Sequence, residues 1–281
     1  MSELLTQLKA VAANASAYAD AVREAVRARV SMDGKIDRAA IDREQHVVHG
    51  LAWVATYAET LREVSDWAHA LSTAGKFGEV EQLLAKLVAA EYAAQLAGGV
   101  PMTQVETIRP SDFSVAAPLV SLAIAQAEKT RLAELIRDGR GRATLENTGL
   151  DQDFELIRDQ FRKFADAEIV PHAHGWHMRD ELIPIEIVNH MGELGVFGLT
   201  IPEEFGGAGL GKTAMCVVSE ELSRGYIGVG SLGTRSEIAA ELILTGGTAK
   251  QEAHWLPGVA SGDVLPTAVF SAPSTGSDLA S

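Results

Sequence analysis

The sequence predicts a mostly α-helical protein: an N-terminal antiparallel helical bundle, a second helical domain and then a first β-strand. Three observations carry this prediction. Apolar residues recur every three or four positions through most of the chain, as on one face of an α-helix. A polar, glycine-rich stretch without this periodicity interrupts them at residues 137–150, as in a linker. After residue 263, β-branched and apolar residues run into a Pro/Ser/Gly turn, which is typical of a strand.

Four long helices are predicted in the bundle, residues 1–138. The apolar spacing places the first three helices over residues 4–22, 47–61 and 80–96. A fourth is expected over residues 113–137, where a proline at position 118 is acceptable only because it lies near the helix start. Long helices separated by short breaks are typical of an antiparallel bundle.

A second helical domain, residues 151–262, is expected after a linker at residues 139–150. Its first helix is predicted to be capped by Asp153 and to end at Pro171. The glycine-rich segment "RGYIGVGSLGTR" is predicted to be a tightly packed connection rather than part of a helix. The remaining helices of this domain are expected over residues 183–194, 212–223 and 236–245.

Charge and cysteine content exclude several classes of protein. The net charge of −14 argues against a nucleic-acid or anionic-membrane partner, because phosphate groups repel such a surface. The single cysteine, Cys216, excludes an intrachain disulfide and a multi-cysteine zinc site, and it fits a cytoplasmic location. Cys216 lies in an apolar run and is predicted to be a small core residue rather than a nucleophile. We expect neither a secretory signal at the N-terminus nor a membrane span.

The segment "GGAGLGKT", residues 206–213, has the spelling of a phosphate-binding loop. Such a loop follows a buried strand and opens a helix, so that backbone N–H groups converge on phosphate. Here Pro202, Glu203 and Glu204 precede the glycines, and carboxylates beside a triphosphate oppose its binding. We therefore predict a structural turn with a solvated Lys212, and nucleotide binding is the less favoured alternative.

Two groups of histidines invite a metal-site interpretation. His172, His174 and His177 have loose spacing and no nearby cysteine, and His46 and His49 lack a third strong ligand. Surface or packing positions account for both groups more simply. No metal site is predicted.

Four segments of the second half occur in a fixed order: "GELGVFGLTIPEEFGGAGLG", "EELSRGYIGVGSL", "GGTAKQEAHWLPGVASGD" and "AVFSAPSTGSD". Together, in this order and spacing, they resemble the N-terminal part of the acyl-CoA dehydrogenases. The resemblance implies that residues 151–262 form the N-terminal α domain of this family. Residues 263–281 would then be the truncated start of its middle β-domain, and residues 1–138 a helical extension.

The resemblance also implies an activity. Acyl-CoA dehydrogenases use FAD to oxidise an acyl-CoA to its 2,3-enoyl-CoA: a glutamate removes the α-proton, and the β-hydrogen leaves as hydride. The substrate would be a short branched acyl-CoA, and the electrons would pass to electron-transferring flavoprotein. A homo-oligomer, either a dimer or a tetramer, is implied as well.

Only the last segment, "AVFSAPSTGSD", offers positions for the implied site. By resemblance, Ser277 would contact both the cofactor and the CoA arm of the substrate. Ser271 stands where the family usually has threonine, and Ala272 where it has glutamate. The catalytic base is expected beyond Ser281, so residues 1–281 alone are expected to be inactive. The positions implied to bind FAD are Ala268, Phe270, Ser271, Gly276 and Ser277.

A third hypothesis stands beside the enzyme and the nucleotide binder. The chain could be a non-catalytic helical interaction module that kept the fold while its flavin site degenerated. The alanine at position 272 favours this alternative. Flavin content separates it from the enzyme, because a degenerate site would hold no flavin.

Overall fold

The computed structural model describes residues 3–119, 122–139, 148–267 and 269. The chain divides into two compact units, residues 1–149 and 150–281, each with its own apolar core. α-Helices dominate both units, and the predicted mostly α class is confirmed. None of the described helices is both long enough and apolar enough to cross a membrane.

Unit 1 is assembled around three long helices. The first and the second of these pack along each other, and the third lies against both. Their seam is rich in alanine and valine, which permits close approach of the backbones. The helices are α1 (Glu3–Val30), α2 (Arg38–Arg43), α3 (Gln45–Thr73), α4 (Glu79–Gly98), α5 (Pro110–Phe113) and α6 (Gln126–Asp138).

Two short antiparallel ribbons join these helices: β1 (Ser31–Met32) with β2 (Lys35–Ile36), and β3 (Val100–Pro101) with β4 (Thr107–Ile108). The second ribbon packs on α3, where Ile108 lies directly over Gly50. A Cβ atom at position 50 would come within 2.5 Å of the Ile108 side chain, so this contact requires glycine.

The predicted fourth helix, residues 113–137, is wrong in its first half. The chain leaves α5 at Ser114, which adopts a left-handed conformation with φ of 60°. The described residues from 115 to 125 carry no regular secondary structure, and α6 begins only at Gln126. Pro118 explains the difference, because a proline and the residue before it disfavour helical geometry.

Unit 2 is built from shorter helices. A five-residue π-helix, Ala165–Ile169, joins the first two without a break, and short 3₁₀ turns occupy Val196–Gly198 and Glu203–Phe205. The helices are α7 (Gln152–Phe164), α8 (Val170–Met178), α9 (Ile185–Glu193), α10 (Gly211–Gly225), α11 (Ile227–Gly246) and α12 (Ala249–Ser261).

Both ends of the first helix in this unit differ from the prediction. Asp151, not Asp153, caps α7, because its carboxylate accepts a hydrogen bond from the Phe154 N–H at 3.0 Å. Pro171 does not end the helical stretch, since it is the second residue of α8 and directly follows the π-helix. The histidine-rich segment after Pro171 is therefore helical.

The predicted connection "RGYIGVGSLGTR" is also wrong, because most of it lies in α11. Its glycines are packing sites rather than turns. Gly230 lies against Ser223 of α10, and a Cβ atom there would come within 2.7 Å of the Ser223 backbone nitrogen. Gly233 lies against Val196 in the same manner. Close packing on α10 thus outweighs the low helix propensity of glycine.

The predicted core position of Cys216 is wrong, since the thiol is exposed. The buried side of α10 consists of Ala214, Met215, Val217, Val218, Glu221 and Leu222. Cys216 lies on the other side of that helix.

The sequence predicts a strand after residue 263, but residues 264–267 form no strand. The other residues of the predicted strand lie mostly outside the described part of the chain.

Candidate functional site

The glycine-rich loop before α10 is closed by its own backbone hydrogen bonds. The N–H groups of Ala208, Gly209 and Leu210 donate to carbonyls in residues 198–201 at 2.8–2.9 Å. Gly206, in the left-handed conformation, lets the chain reverse, as predicted for a structural turn. Because these donors are already used, they do not form the ring of free N–H groups that a phosphate-binding loop presents.

Lys212 is exposed but not simply solvated, as the sequence had suggested. Its ammonium group donates to Glu237 and also to Glu241, the latter at 2.6 Å. These hydrogen bonds raise the pKa of Lys212 and tie α10 to α11. A lysine held by two carboxylates is poorly placed to receive phosphate, so the geometry disfavours the nucleotide hypothesis.

A buried carboxylate, Glu221 on α10, holds together the first part of unit 2. Its side chain is 1% exposed, although the sequence had suggested a surface or interface charge. It accepts hydrogen bonds from Arg162 of α7 at 3.1 Å and from Arg224 of α10 at 2.9 Å. Arg158 of α7 approaches it at 3.4 Å. Arg224 also donates to Asp166 of the π-helix at 2.7 Å.

These arginines determine the ionisation of Glu221. Burial alone raises the pKa of the carboxyl group, but the hydrogen bonds and charges of Arg162 and Arg224 outweigh it. The resulting pKa lies below the usual range, and Glu221 is ionised at neutral pH. An ionised group whose oxygens are bound by three guanidinium groups is suited to hold helices together rather than to accept a proton.

The outer side of α11 combines exposed apolar side chains with an exposed arginine. Ile227, Ser231, Arg235 and Leu242 lie along it at spacings of four, four and seven residues, which places them on one side. Ile227 and Leu242 are 74% and 64% exposed. Arg235 is exposed as well and makes no ion pair with any residue that the structure describes.

The structure includes all five arginines of unit 2, and Arg235 differs from the other four. Each of the others forms at least one ion pair with a carboxylate. The carboxylates on α11 itself, Glu237 and Glu241, are held by Lys212. Arg235 was not among the predicted site residues, because a charge within a predicted glycine-rich connection does not indicate an exposed helix face.

Two histidines of unit 2 each contact a neighbouring side chain. His190 of α9 contacts Glu168 of the π-helix through Nδ1 at 3.0 Å, and His172 stacks near Trp176 within α8. Across the described ranges, no three histidine, cysteine, aspartate or glutamate side chains come together in a way that could hold a metal ion.

The implied flavin-binding residues Ala268, Phe270, Ser271, Gly276 and Ser277 lie outside the described residues. The last described stretch before them leaves α12 through Gly262, which adopts a left-handed conformation. The N–H of Val264 then donates to the Gly258 carbonyl at 2.9 Å, which fixes the direction in which the chain leaves the helix. The assignment of these five residues to a flavin site stays a prediction.

Comparison with known proteins gives matches to acyl-CoA dehydrogenases. Residues 151–263 match the family model described as acyl-CoA dehydrogenase, N-terminal domain. (2S)-Methylsuccinyl-CoA dehydrogenase from Cereibacter sphaeroides is 54% identical over 289 aligned positions, which cover 100% of this chain and 53% of that protein. Mouse mitochondrial short-chain specific acyl-CoA dehydrogenase is 33% identical over 51% of this chain and 35% of its own length.

Among solved structures, an acyl-CoA dehydrogenase from Geobacillus kaustophilus matches 46% of this chain and 34% of its own, at 31% identity and a TM-score of 0.42. The chain thus spans about half the length, or less, of the relatives that it matches. The family model begins at residue 151, so residues 1–150 are matched by the Cereibacter protein but not by that model.

Proposed function

Because the chain belongs to the acyl-CoA dehydrogenase family, we propose that it is part of an enzyme that oxidises (2S)-methylsuccinyl-CoA to mesaconyl-CoA. The observation that carries this proposal is the 54% identity to a methylsuccinyl-CoA dehydrogenase along the whole chain. The match includes residues 1–150, which the model of the common family domain does not cover. A shared extension of this kind points to one branch of the family rather than to the family at large.

FAD is the proposed cofactor, with Ala268, Phe270, Ser271, Gly276 and Ser277 against it. Their chemistry suits an uncharged ring system, since two serine hydroxyls can donate or accept and a glycine lets the backbone approach closely. When bound, FAD would take up the hydride. The chain's own residues would hold the ring and the CoA arm and exclude water from them.

Arg235 is proposed to bind the free carboxylate of the substrate. A methylsuccinyl thioester carries a second, ionised carboxyl group, and such a group requires a cation when it leaves water. Among the arginines of unit 2, Arg235 is the one with no carboxylate partner in the described part of the chain. Its guanidinium group can bind a carboxylate with two parallel hydrogen bonds.

The base that removes the α-proton is proposed to lie on polypeptide outside residues 1–281. Two prominent glutamates of unit 2 are unsuited to the role. Arginines bind Glu221 and lower the pKa of its carboxyl group, and Lys212 holds the Glu237 carboxylate in an ion pair. Electron-transferring flavoprotein is the proposed electron acceptor. The complete enzyme is proposed to be a homo-oligomer and to be located in the cytoplasm.

Anaerobic titration of the purified full-length protein with (2S)-methylsuccinyl-CoA tests the activity. We expect bound flavin and bleaching of its visible absorbance by this substrate, with little bleaching by butyryl-CoA. A full-length protein that holds no flavin would contradict the proposal and support the interaction module instead.

Replacing Arg235 tests the substrate contact separately. For Arg235→Gln we expect the KM for methylsuccinyl-CoA to rise about 10- to 100-fold, since a hydrogen bond to a charged group contributes about 1.5–3 kcal/mol. Arg235→Lys should restore part of the affinity because it restores the charge. The slow oxidation of butyryl-CoA is the control and should change little, as that substrate has no second carboxylate. An equal loss on both substrates would show that Arg235 is structural.

A further inference from the structure

An open apolar trough runs along unit 1 between α3 and α4. Its volume is about 980 Å³, and it is open on its outer side. Val64 and Trp67 of α3 and Leu84 and Val88 of α4 form its walls, and Ala55 and Ala85 line it where small side chains leave room. All the residues that line the trough belong to unit 1.

The polar atoms along the trough are already used by the protein. The Thr56 hydroxyl donates to the Ala52 carbonyl and the Thr60 hydroxyl to the Thr56 carbonyl, both at 2.8 Å. The Trp67 Nε1–H donates to the Thr148 carbonyl at 2.9 Å. Methyl groups and ring carbons therefore dominate the lining. A small polar ligand would find few groups to orient it there.

The open side of α4 carries few charges. Between residues 83 and 98 the only charged side chains are Lys86 and Glu91. Both are turned toward α6, where they pair with Glu128 and Lys129. Leu84 and Val88 make this side of α4 apolar over one turn, and Glu91, the next charged residue on it, is held by Lys129 of α6.

The rim of the trough is acidic. Glu59 and Glu63 of α3 line it, and they share the one cation Arg62 with Asp66 of the same helix, so three carboxylates face a single guanidinium group. This rim repels a phosphate-bearing ligand such as an acyl-CoA and attracts lysine or arginine. The occupant that fits is an amphipathic helix whose apolar stripe is flanked by basic residues.

We propose that such a helix docks in this trough, and that it comes from the part of the natural full-length polypeptide outside residues 1–281. The Cereibacter relative matches this chain throughout and is almost twice as long, which leaves ample polypeptide to supply the helix. The alanines at positions 55 and 85 permit the 8–10 Å interaxial distance of packed helices.

Cysteine labelling tests the docking. Thr56 and Thr73 are a matched pair: both lie on α3, both are exposed, and both donate their hydroxyls to the carbonyl four residues earlier. Only Thr56 lines the trough. Thr56→Cys and Thr73→Cys are introduced one at a time into the full-length protein and into residues 1–281, with all other cysteines, including Cys216, replaced by serine. Their rates of maleimide labelling are then compared.

In the full-length protein we expect Thr56→Cys to react at least tenfold more slowly than Thr73→Cys. In residues 1–281 the two rates should be similar. Equal rates in the full-length protein would overturn the proposal, even if the shorter chain failed to fold. Slow, concentration-dependent labelling of Thr56→Cys in residues 1–281 would also overturn it, because a second copy would then be the occupant. Flavin bleaching is read in the same samples, so failure of docking is distinguishable from failure of the proposed activity.

Discussion

The two units of the molecule bury their helices by different means. In unit 1, long helices meet along seams of small apolar residues such as Ala15, Ala58 and Ala89, and the ion pairs around Arg62 lie at the surface. In unit 2, shorter helices meet through glycine contacts and around a buried carboxylate, Glu221. The first arrangement spreads its stabilisation over many similar contacts. The second concentrates it in a few atoms, so single substitutions there should have larger effects.

Removal of the buried carboxylate is expected to have the largest effect. Glu221→Ala leaves Arg158, Arg162 and Arg224 without their common partner, and breaking a buried ion pair in this way costs about 3–5 kcal/mol. Chemical denaturation monitored by circular dichroism measures the free energy of unfolding. The matched change in unit 1, Glu59→Ala, removes a carboxylate from exposed Arg62 and should leave the denaturation midpoint unchanged.

Glu221→Gln separates charge from shape in the same experiment. If the glutamine variant is as stable as the parent, the negative charge contributes nothing to stability. Unit 2 would then not concentrate its stabilisation at Glu221. We expect the glutamine variant to be destabilised nearly as much as the alanine variant, because the three guanidinium groups still lose the carboxylate that they share.

Glycines on the two sides of α11 provide the next contrast. Gly230→Ala places a methyl group within 2.7 Å of the Ser223 backbone and should destabilise unit 2 by about 1–3 kcal/mol, as overpacking does. Gly246→Ala adds the same methyl group where no atom lies within 4 Å. It should stabilise the helix by about 0.5–1 kcal/mol through lower backbone entropy. Thermal unfolding should show shifts of opposite sign, and shifts of equal sign would contradict the glycine contact.

The two units should also respond to opposite extremes of pH. Burial, and secondarily the charge of Asp112, raise the pKa of Tyr18 in unit 1 to about 12. Unfolded tyrosine ionises near pH 10, so the stability from this group is intact below pH 10 and is lost as the pH rises toward 12. At pH 11, about one unit above the unfolded value, the loss should be about 1–1.5 kcal/mol, and it should be absent in Tyr18→Phe. The lowered pKa of Glu221 has the opposite sign: its contribution is present above the unfolded value and is lost as the pH falls.

Urea unfolding at pH 8 and at pH 11 measures the alkaline effect, and unfolding at pH 7 and at pH 3 measures the acidic one. The Tyr18→Phe variant should flatten only the alkaline difference and Glu221→Gln only the acidic one. If Tyr18→Phe also removed the acidic loss, the two effects would not belong to separate groups.

The long helices of unit 1 could be predicted from the sequence because their apolar residues keep one periodicity over five or more turns. The same signal failed where tertiary contacts decide the conformation. The glycines of α11 favour a turn by propensity, yet Gly230 and Gly233 are helical because α10 and the Val196 turn lie against them. Proline generally marks a helix end, but Pro171 directly follows the π-helix, and the helical stretch continues to Met178.

The features of the candidate site could also be predicted only in part from the sequence. The sequence indicated a turn rather than a phosphate loop at residues 206–213, because carboxylates precede the glycines, and the backbone hydrogen bonds of the loop agree. Arg235 could not be found from the sequence. Its significance depends on which other arginines are paired, and Arg158 and Arg162 reach Glu221 across about 60 residues of chain. Long-range pairing of this kind leaves no local pattern.

Loss of the surface lysine in the loop is expected to have the smallest effect. Lys212→Ala removes two ion pairs, to Glu237 and Glu241, from a side chain that is 59% exposed. Exposed pairs contribute about 0.2–1 kcal/mol, and the loss should shrink further in high salt. Because the loop N–H groups donate to backbone carbonyls, ATP should leave the melting temperature of both the parent and the variant unchanged. A rise in the parent's melting temperature with ATP, lost in Lys212→Ala, would restore the phosphate-loop hypothesis and make this loop, rather than Glu221, the most sensitive part of unit 2.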